Sequence, residues 1–238
     1  MNEYLTKLIE DFKISFTNNF ITDNRWQYLT KGLLVTLEIT FFAVIIGIIL
    51  GFIIAVIRTT YDKTKKLGIL NAICKVYITI IRGTPVVLQL LIIYYVVFAT
   101  VAVDKVLAAV VAFGLNSAAY VAEIVRSGIM SVDPGQMEAG RSLGFTYGQT
   151  MWHIVLPQAF KNILPALGNE FIVLLKETSV SGYIALADLT KGGEYIRSRT
   201  YDAFMPLIAV ALIYLGIVMF LTYLVNKLER RLSKSDRS

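Results

Sequence analysis

Residues 33–57 read LLVTLEITFFAVIIGIILGFIIAVI, and Glu38 is the one charge among them. A helix needs roughly 20 mostly apolar residues to cross a hydrocarbon core about 30 Å thick, so this stretch is a membrane span. Working outward, Val86–Val103 is uncharged, and its apolar character extends back past Arg82 to Val76. Residues 106–125 are apolar up to Glu123, and 203–226 are uncharged. A fifth stretch, 156–176, carries Pro157, Pro165 and Glu170 and stops at Lys176–Glu177. It is too polar for a helix surrounded by lipid and suits a bundle interior or a water-filled path. The reading is an all-α integral membrane protein with about five transmembrane helices.

Composition agrees. Hydrophobic residues make up 56% of the 238 positions and charged residues 17%, with a mean hydropathy of +0.64. A disordered chain needs low hydrophobicity and high charge, and a soluble domain carries roughly 25% charged residues. The formal charge of +6 lies beside the apolar runs and forms no continuous soluble face, so nucleic acid is not a partner. A single cysteine, Cys74, excludes an internal disulfide, and a single histidine, His153, argues against zinc or haem chemistry.

Five spans put the termini on opposite sides, and the basic residues choose the side. With the N-terminus outside, segments 58–75, 126–161 and 227–238 are inner and hold 13 Lys and Arg. The outer segments hold eight, namely Lys7, Lys13, Arg25, Lys31, Lys105, Lys191, Arg197 and Arg199. The chain divides into an arm over 1–32, a spanning domain over 33–227 and a basic cytoplasmic tail over 228–238. In the arm, Tyr4, Leu5, Leu8, Ile9, Phe12 and Phe16 fall at helical spacing with charges between them, which predicts an amphipathic helix at the membrane interface. The tail is expected to anchor to anionic membrane lipid.

The inner loop is ordered in its chemistry. Asp133-Pro134-Gly135-Gln136 opens a short helix: Asp133 caps, Pro134 suits the first helical position, and Gln136 can reach back. Gly144 can end that helix in the left-handed region. Thr146-Tyr147-Gly148-Gln149 repeats the capping signal, which predicts a second short helix to about Ile154 that stops before Pro157. Two capped helices make a rigid projection over 133–157.

Glu138-Ala139-Gly140, then Gly144, then Ile154-Val155-Leu156-Pro157 resembles the EAA signature of ABC-importer permease subunits. The departure is Gly140, where the family usually has Ala; with about 1 kcal/mol less helix propensity, docking is expected to be softer. Arg82-Gly83-Thr84-Pro85, Asn116-Ser117-Ala118-Ala119-Tyr120, Glu123-Ile124-Val125-Arg126-Ser127-Gly128, Leu167-Gly168-Asn169-Glu170-Phe171 and Lys176-Glu177-Thr178-Ser179 resemble the polar amino-acid (His/Glu/Gln/Arg/cystine) branch. The resemblance runs from about Leu33 to the last span. It implies a type I importer fold in the bacterial cytoplasmic membrane, with the EAA loop inserted into a cytoplasmic ABC ATPase dimer. It also implies a second permease chain, identical or related, and an extracytoplasmic amino-acid-binding protein. The chain contains no Gly-x-x-x-x-Gly-Lys-Ser/Thr phosphate loop, so ATP must be hydrolysed by a partner if it is used, and the resemblance implies a transport permease and not an enzyme. ATP and Mg²⁺ belong to the partner ATPase, and no cofactor is expected in this chain.

The ATPase-docking residues implied are Glu138, Ala139, Gly140, Gly144, Leu156 and Pro157. Polar groups inside a membrane are costly unless paired or wetted, so those along the spans are candidates for the substrate pathway: Thr84, Gln89, Asn116, Ser117, Glu170, Glu177, Thr178 and Ser179. Glu123 is expected to pair with Arg126 three residues on, and Arg82 to snorkel to the inner interface. Residues 180–203, with Tyr183, Asp188, Glu194, Arg197 and Arg199, suit a docking surface for the binding protein. An ion-coupled carrier or channel would explain the spans and carboxylates but not the spaced loop signature. A membrane enzyme would need a polar cluster that one histidine does not provide.

Overall fold

The computed structural model describes residues 2–234, with side chains from Tyr4 to Leu232. Every regular element among them is helical: α1 (Asn2–Phe16), α2 (Trp26–Thr64), α3 (Gly68–Gly83), α4 (Val86–Ile92), α5 (Lys105–Met130), α6 (Pro134–Ser142), α7 (Tyr147–Thr150), α8 (Leu156–Glu177), α9 (Leu189–Thr200) and α10 (Phe204–Lys234). The end of the basic tail, 235–238 with Arg237, and the side chain of Lys234 lie outside the described residues.

Three helices, α2, α5 and α10, are long and apolar enough to cross a membrane. α2 begins at Trp26, inside the expected arm, because nothing between Trp26 and Gly32 breaks the helix. The expected continuous span over 76–103 is instead a bent pair, α3 and the helical stretch Val86–Val97 that begins with α4, between which the chain turns by 111°. Pro85 is the cause. It has no N–H to donate, and it forces Thr84 into an extended conformation (φ −124°, ψ 149°). The Gln89 amide satisfies carbonyls freed at the break: its Nε2 donates to Ile81 O at 2.7 Å and to Thr84 O at 3.1 Å. α8 is the fifth expected span. Its polar residues keep it from standing alone in lipid, and it packs between α5 and α10.

α5 is the centre: 72% of its apolar window is buried, against 33% in α2 and 11% in α10. The α2–α5 contact is close because α2 presents a buried stripe of small residues at helical spacing, among them Gly32, Thr36, Ala43, Gly47, Gly51, Ala55 and Thr59. A Cβ at Gly47 would come within 2.7 Å of Ser117 Oγ, and one at Gly51 within 2.6 Å of Val121 Cγ1. Small residues let two backbones approach where lipid supplies no hydrophobic drive between helices.

The end of the bundle that carries Asp188 is locked to the same helix. The Leu189 N–H donates to Thr36 Oγ1 at 3.1 Å. Asp188 is fully buried and caps α9, accepting from the Lys191 N–H at 2.9 Å. Buried Asn19 ties the arm to the start of α10: its Nδ2 donates to Asp202 Oδ2 at 2.7 Å, and Thr200 Oγ1 donates to Asn19 Oδ1 at 2.8 Å. α1 forms as expected, and its apolar face, including Leu5, Leu8, Ile9 and Phe12, is not covered by the rest of the chain.

The inner loop follows its capping signals with two differences. Asp133 Oδ1 accepts from the Gly135 N–H at 2.8 Å, but the Gln136 side chain does not reach back; its Oε1 accepts from Gln158 Nε2 at 3.2 Å. α6 ends with Gly144 at φ +87°, where the Phe145 N–H donates to Gly140 O at 3.2 Å and the Gly144 N–H to Arg141 O at 3.0 Å. This is the paired C-cap that a left-handed glycine permits. Thr146 and Gln149 close a full capping box at α7. The second difference is that α7 does not stop before Pro157. A π turn over Met151–Val155 carries it straight into α8, because i→i+5 bonding accommodates the proline that an α-helical ladder rejects.

Three outcomes follow. Gly32→Ala would place a Cβ 2.4 Å from the Asp188 carbonyl oxygen, a backbone atom that cannot swing aside, whereas Gly216 has open space around it. Gly32→Ala should cost about 1–3 kcal/mol and lower the melting temperature in detergent, while Gly216→Ala leaves it unchanged or raised. At Gly140 a Cβ would lie 2.5 Å from Thr150 Cγ2, and Thr150 is held by its hydroxyl bond to Thr146 O at 3.0 Å. Gly140→Ala should therefore destabilise the loop, and adding Thr150→Ser, which lacks that methyl, should restore it in paired melts. Burial pushes the Asp188 carboxyl from its ordinary value near 3.8 up to about 6. The folded chain keeps a proton that the unfolded chain releases, so stability from this group falls as pH rises from about 4 through about 6. Asp188→Asn keeps a cap acceptor, and melts at pH 4.5 and 7 should show the native chain losing ground to the variant at the higher pH.

Candidate functional site

Two regions carry the functional chemistry: a polar cleft between α3, α5 and α8, and the loop built from α6 and α7.

The cleft has a volume of about 410 Å³ and is lined by Arg82, Tyr120, Glu123, Ser127, Asn162 and Glu170 among others. Its walls follow from helical spacing. Tyr120, Glu123 and Ser127 recur every three or four residues along one side of α5, with Ser131 continuing the spacing at its C-cap, and Asn162, Ala166 and Glu170 recur every four along α8. The two polar stripes face each other, joined at one end by Asn162 Nδ2 donating to Ser131 Oγ at 2.8 Å. Arg82 closes the third side, with its guanidinium 5.3 Å from the centre of the Tyr120 ring. Tyr120 is one turn of α5 from Glu123, and Arg82 lines the same cleft as that carboxylate.

Glu170 accepts from Ser117 Oγ at 3.0 Å. Ser117 is fully buried, so this bond joins α5 and α8 at the point where Ser117 also packs on Gly47 of α2. The other face of the carboxylate opens on the cleft. Glu177 lies seven residues on, about two turns along the same side of α8. Thr178 is buried and its hydroxyl donates to Leu175 O at 2.8 Å, while Ser181 Oγ donates to Thr178 O at 2.6 Å. Thr178 is thus satisfied within its own turn, and neighbouring Ser179 is half-buried.

Thr84, Gln89 and Asn116 form a separate group at the bend. Gln89 Nε2 also donates to Thr84 Oγ1 at 2.8 Å, and Asn116 Nδ2 donates to Gln89 Oε1 at 2.9 Å. The Oδ1 of Asn116 is buried without a partner. At the inner end, Glu123 meets Arg126 at 3.5 Å as the spacing implied, but it also pairs with Arg58 of α2, and Arg126 approaches Asp62 at 3.8 Å. The network ties the inner ends of α2 and α5.

In the loop, Glu138 and Ala139 are exposed on α6, Gly140 is buried against Thr150, Gly144 forms the cap, Leu156 is half-buried and Pro157 exposed. Gly140 therefore faces the loop's own core, and its lack of a methyl is a packing requirement. Leu143 and Phe145, absent from the sequence-based set, are 77% and 41% exposed at the tip. Arg82, Tyr120 and Asn162 were likewise outside that set. The helical spacing of polar residues in 120–131 and 162–170 marks a polar stripe at Tyr120 and at Asn162, but not which stripes meet, and no such spacing marks Arg82.

Comparison with known proteins agrees with this architecture. The family model described as "Binding-protein-dependent transport system inner membrane component" matches residues 44–234. The arginine transport system permease protein ArtQ of Bacillus subtilis is 40% identical over 211 residues, spanning 88% of this chain and 94% of the relative. The L-cystine transport system permease protein TcyB of the same organism is 37% identical, spanning 91% of each. A crystal structure of an amino acid ABC transporter with histidines contains a chain 42% identical, with a TM-score of 0.81, matched over 89% of this chain and 98% of that one. The membrane chain of the MetNI methionine ABC transporter shares the fold, with a TM-score of 0.75 at 21% identity. A chain whose spanning helices, capped inner loop and family match agree in this way belongs to the binding-protein-dependent transport system inner membrane components, the multi-pass permease subunits of ABC importers that work with a separate ATPase and a substrate-binding protein.

Proposed function

We propose that this chain forms half of a path for a polar amino acid, with the Arg82–Tyr120–Glu170 cleft as the place where the substrate pauses. The observation that carries this reading is a guanidinium and a carboxylate lining one cleft among apolar helices. A zwitterion presents the complementary pair: its carboxylate suits Arg82, and its ammonium group or a basic side chain suits Glu170. Charge-assisted bonds of this kind are strong where water is scarce. The names of the relatives, arginine and cystine permeases among them, support an amino acid as cargo. Glu177 and Ser179 continue the same wall toward the outer end. Thr84, Gln89 and Asn116 hold the bend that carries Arg82, and Ser117 and Thr178 brace the helices.

One chain leaves the cleft open on a side, which favours a second permease, identical or related, as the facing wall. The N-terminus is outside and the C-terminus inside, with α1 on the outer interface and 180–203 offered to the binding protein. The ATPase dimer takes the tip of the loop through Glu138, Ala139, Leu143 and Phe145, with Gly140, Gly144, Leu156 and Pro157 shaping it. ATP-driven closure of the dimer moves the loop, and the path alternates between outward and inward access.

The test is uptake by the assembled transporter in proteoliposomes, with ATPase retention measured in parallel. Glu170→Gln and Arg82→Gln should each lower uptake at least roughly tenfold, the loss of one charged contact, while the ATPase stays bound. Leu143→Asp should release the ATPase. Normal uptake by both cleft variants would remove the substrate assignment, and uptake that persists without ATPase would favour an ion-coupled carrier.

A further inference from the structure

Beyond the transport path, a second pair of hollows runs along the inner third of α2, on the side bounded by the root of the loop. The deeper one, about 510 Å³, is walled by Phe52, Val56, Trp152 and Phe160 and is almost wholly apolar. The outer one, about 380 Å³, is lined by Thr59, Asp62, Lys63, Arg126 and Asp133, with Met137 and Met151 at its base. Ile129 lines both, so they are consecutive sections of one groove. From Phe52 to Lys63 the helix advances eleven residues, about 16 Å. Over that distance it leaves the uncharged run, which ends at Ile57, and enters the basic turn of Arg58, Lys63, Lys65 and Lys66. The groove is therefore apolar at acyl-chain depth and charged at headgroup depth.

The polar section holds groups that the chain itself does not satisfy. Thr59 is buried, 8% exposed, and its Oγ1 has no hydrogen-bond partner. Within a helix that hydroxyl ordinarily back-bonds to the carbonyl four residues earlier. Arg126 meets Glu123, Asp62 and Met130 Sδ through its terminal nitrogens, while its Nε is buried without a partner. Lys63 makes no ion pair among the described residues. The acidic groups at the mouth are engaged: Asp62 lies 3.8 Å from Arg126, and Asp133 caps α6.

We infer that this groove binds one anionic glycerophospholipid of the cytoplasmic leaflet, its phosphate at Thr59, Lys63 and Arg126 and an acyl chain along Phe52, Val56 and Phe160. A free phosphate would use the outer section and leave the apolar section without an occupant. The lipid would be wedged between α2 and the π turn that joins the loop to α8, so its presence would stiffen that joint.

The chain has two tryptophans, Trp26 and Trp152, at the outer and inner ends of the bundle, and Trp152 is in the groove. The full chain carrying Trp26→Phe is reconstituted in phosphatidylcholine vesicles containing phosphatidylglycerol brominated on its acyl chains, or brominated phosphatidylcholine. One basic contact to an anionic headgroup corresponds to about a fivefold preference. Trp152 fluorescence should be quenched at about one fifth, or less, of the mole fraction of brominated phosphatidylglycerol that bulk mixing requires. Thr59→Val with Lys63→Gln should return it to bulk behaviour, with elution and tryptic pattern unchanged. In the converse Trp152→Phe chain, Trp26 should follow bulk mixing with both lipids. Equal quenching of Trp152 by both brominated lipids, or a preference untouched by the double variant, would overturn the site. Relief of the quenching by inorganic phosphate alone would reassign it to a free anion. If the double variant misfolds, Lys63→Gln alone should still lower the preference, and no change there would also overturn it.

Discussion

The close approach of α2 to α5 is the constraint on which the rest of the bundle depends. In a bilayer the apolar surface of a helix gains nothing by exchanging lipid for another helix, so association relies on van der Waals fit and a few polar bonds. α2 meets that condition with small residues from Gly32 to Thr59 along one side, and α5 packs directly on them. Because Gly47 lets Ser117 sit against α2, the Ser117 hydroxyl is held where Glu170 of α8 can accept its hydrogen. One short contact thus fixes the position of a third helix and of the carboxylate that faces the cleft. The same stripe ends outward at Gly32, under the Asp188 carbonyl, so the segment joining α8 to α9 is located by the same surface.

The bend at Thr84–Pro85 is the second positioning device. A straight span would carry Arg82 past α5 as one more charge needing a partner in the membrane. The break turns the chain through 111° and leaves Arg82 at the corner, where Tyr120 offers its ring face. Unpaired carbonyls are the cost of any break in a low-dielectric medium. The Gln89 amide meets that cost, and Asn116 in turn fixes Gln89. The polar residues that look in the sequence like substrate contacts thus play different parts: Thr84, Gln89 and Asn116 hold the corner, Ser117 and Thr178 are buried in helix packing, and Glu170 faces the cleft.

The spans and the capped loop helices were legible because their signals are local. Apolar runs, Asp133 and Thr146 as caps, and Gly144 as a left-handed terminator act within one or two turns. The bend was legible at Pro85, yet the uncharged run around it reads as one span, and only the Gln89 bonds show why a broken helix is tolerated. The cleft was legible at Glu170 and not at Arg82, Tyr120 or Asn162. Which polar residues meet depends on how three helices rotate against each other, and that rotation is set by the fit of Gly47 and Gly51 on α5. Gly140 reads from sequence as a weakened helix position. Its meaning lies in Thr150, ten residues away, across a contact that no spacing rule describes.

The π turn over Met151–Val155 connects these parts. Had α7 stopped before Pro157, the loop would be hinged, and motion imposed on its tip would be absorbed at the hinge. Instead Tyr147 to Glu177 is one helical rod without a break between its elements, with the π turn over Met151–Val155 and Pro165 inside it. Its inner end is packed on α6 through Thr150 and Gly140, and further along it Glu170 lines the cleft. The rod leans on α5 through Gly128, where a Cβ would meet the Ile163 side chain at 2.3 Å, so Ile163 is a close-packed fulcrum between the two ends. On the proposed reading, a displacement of the loop by a partner would tilt α8 about that point and carry Glu170 relative to Arg82 at the α3–α4 corner, so the distance between the two charged groups would follow the position of the loop.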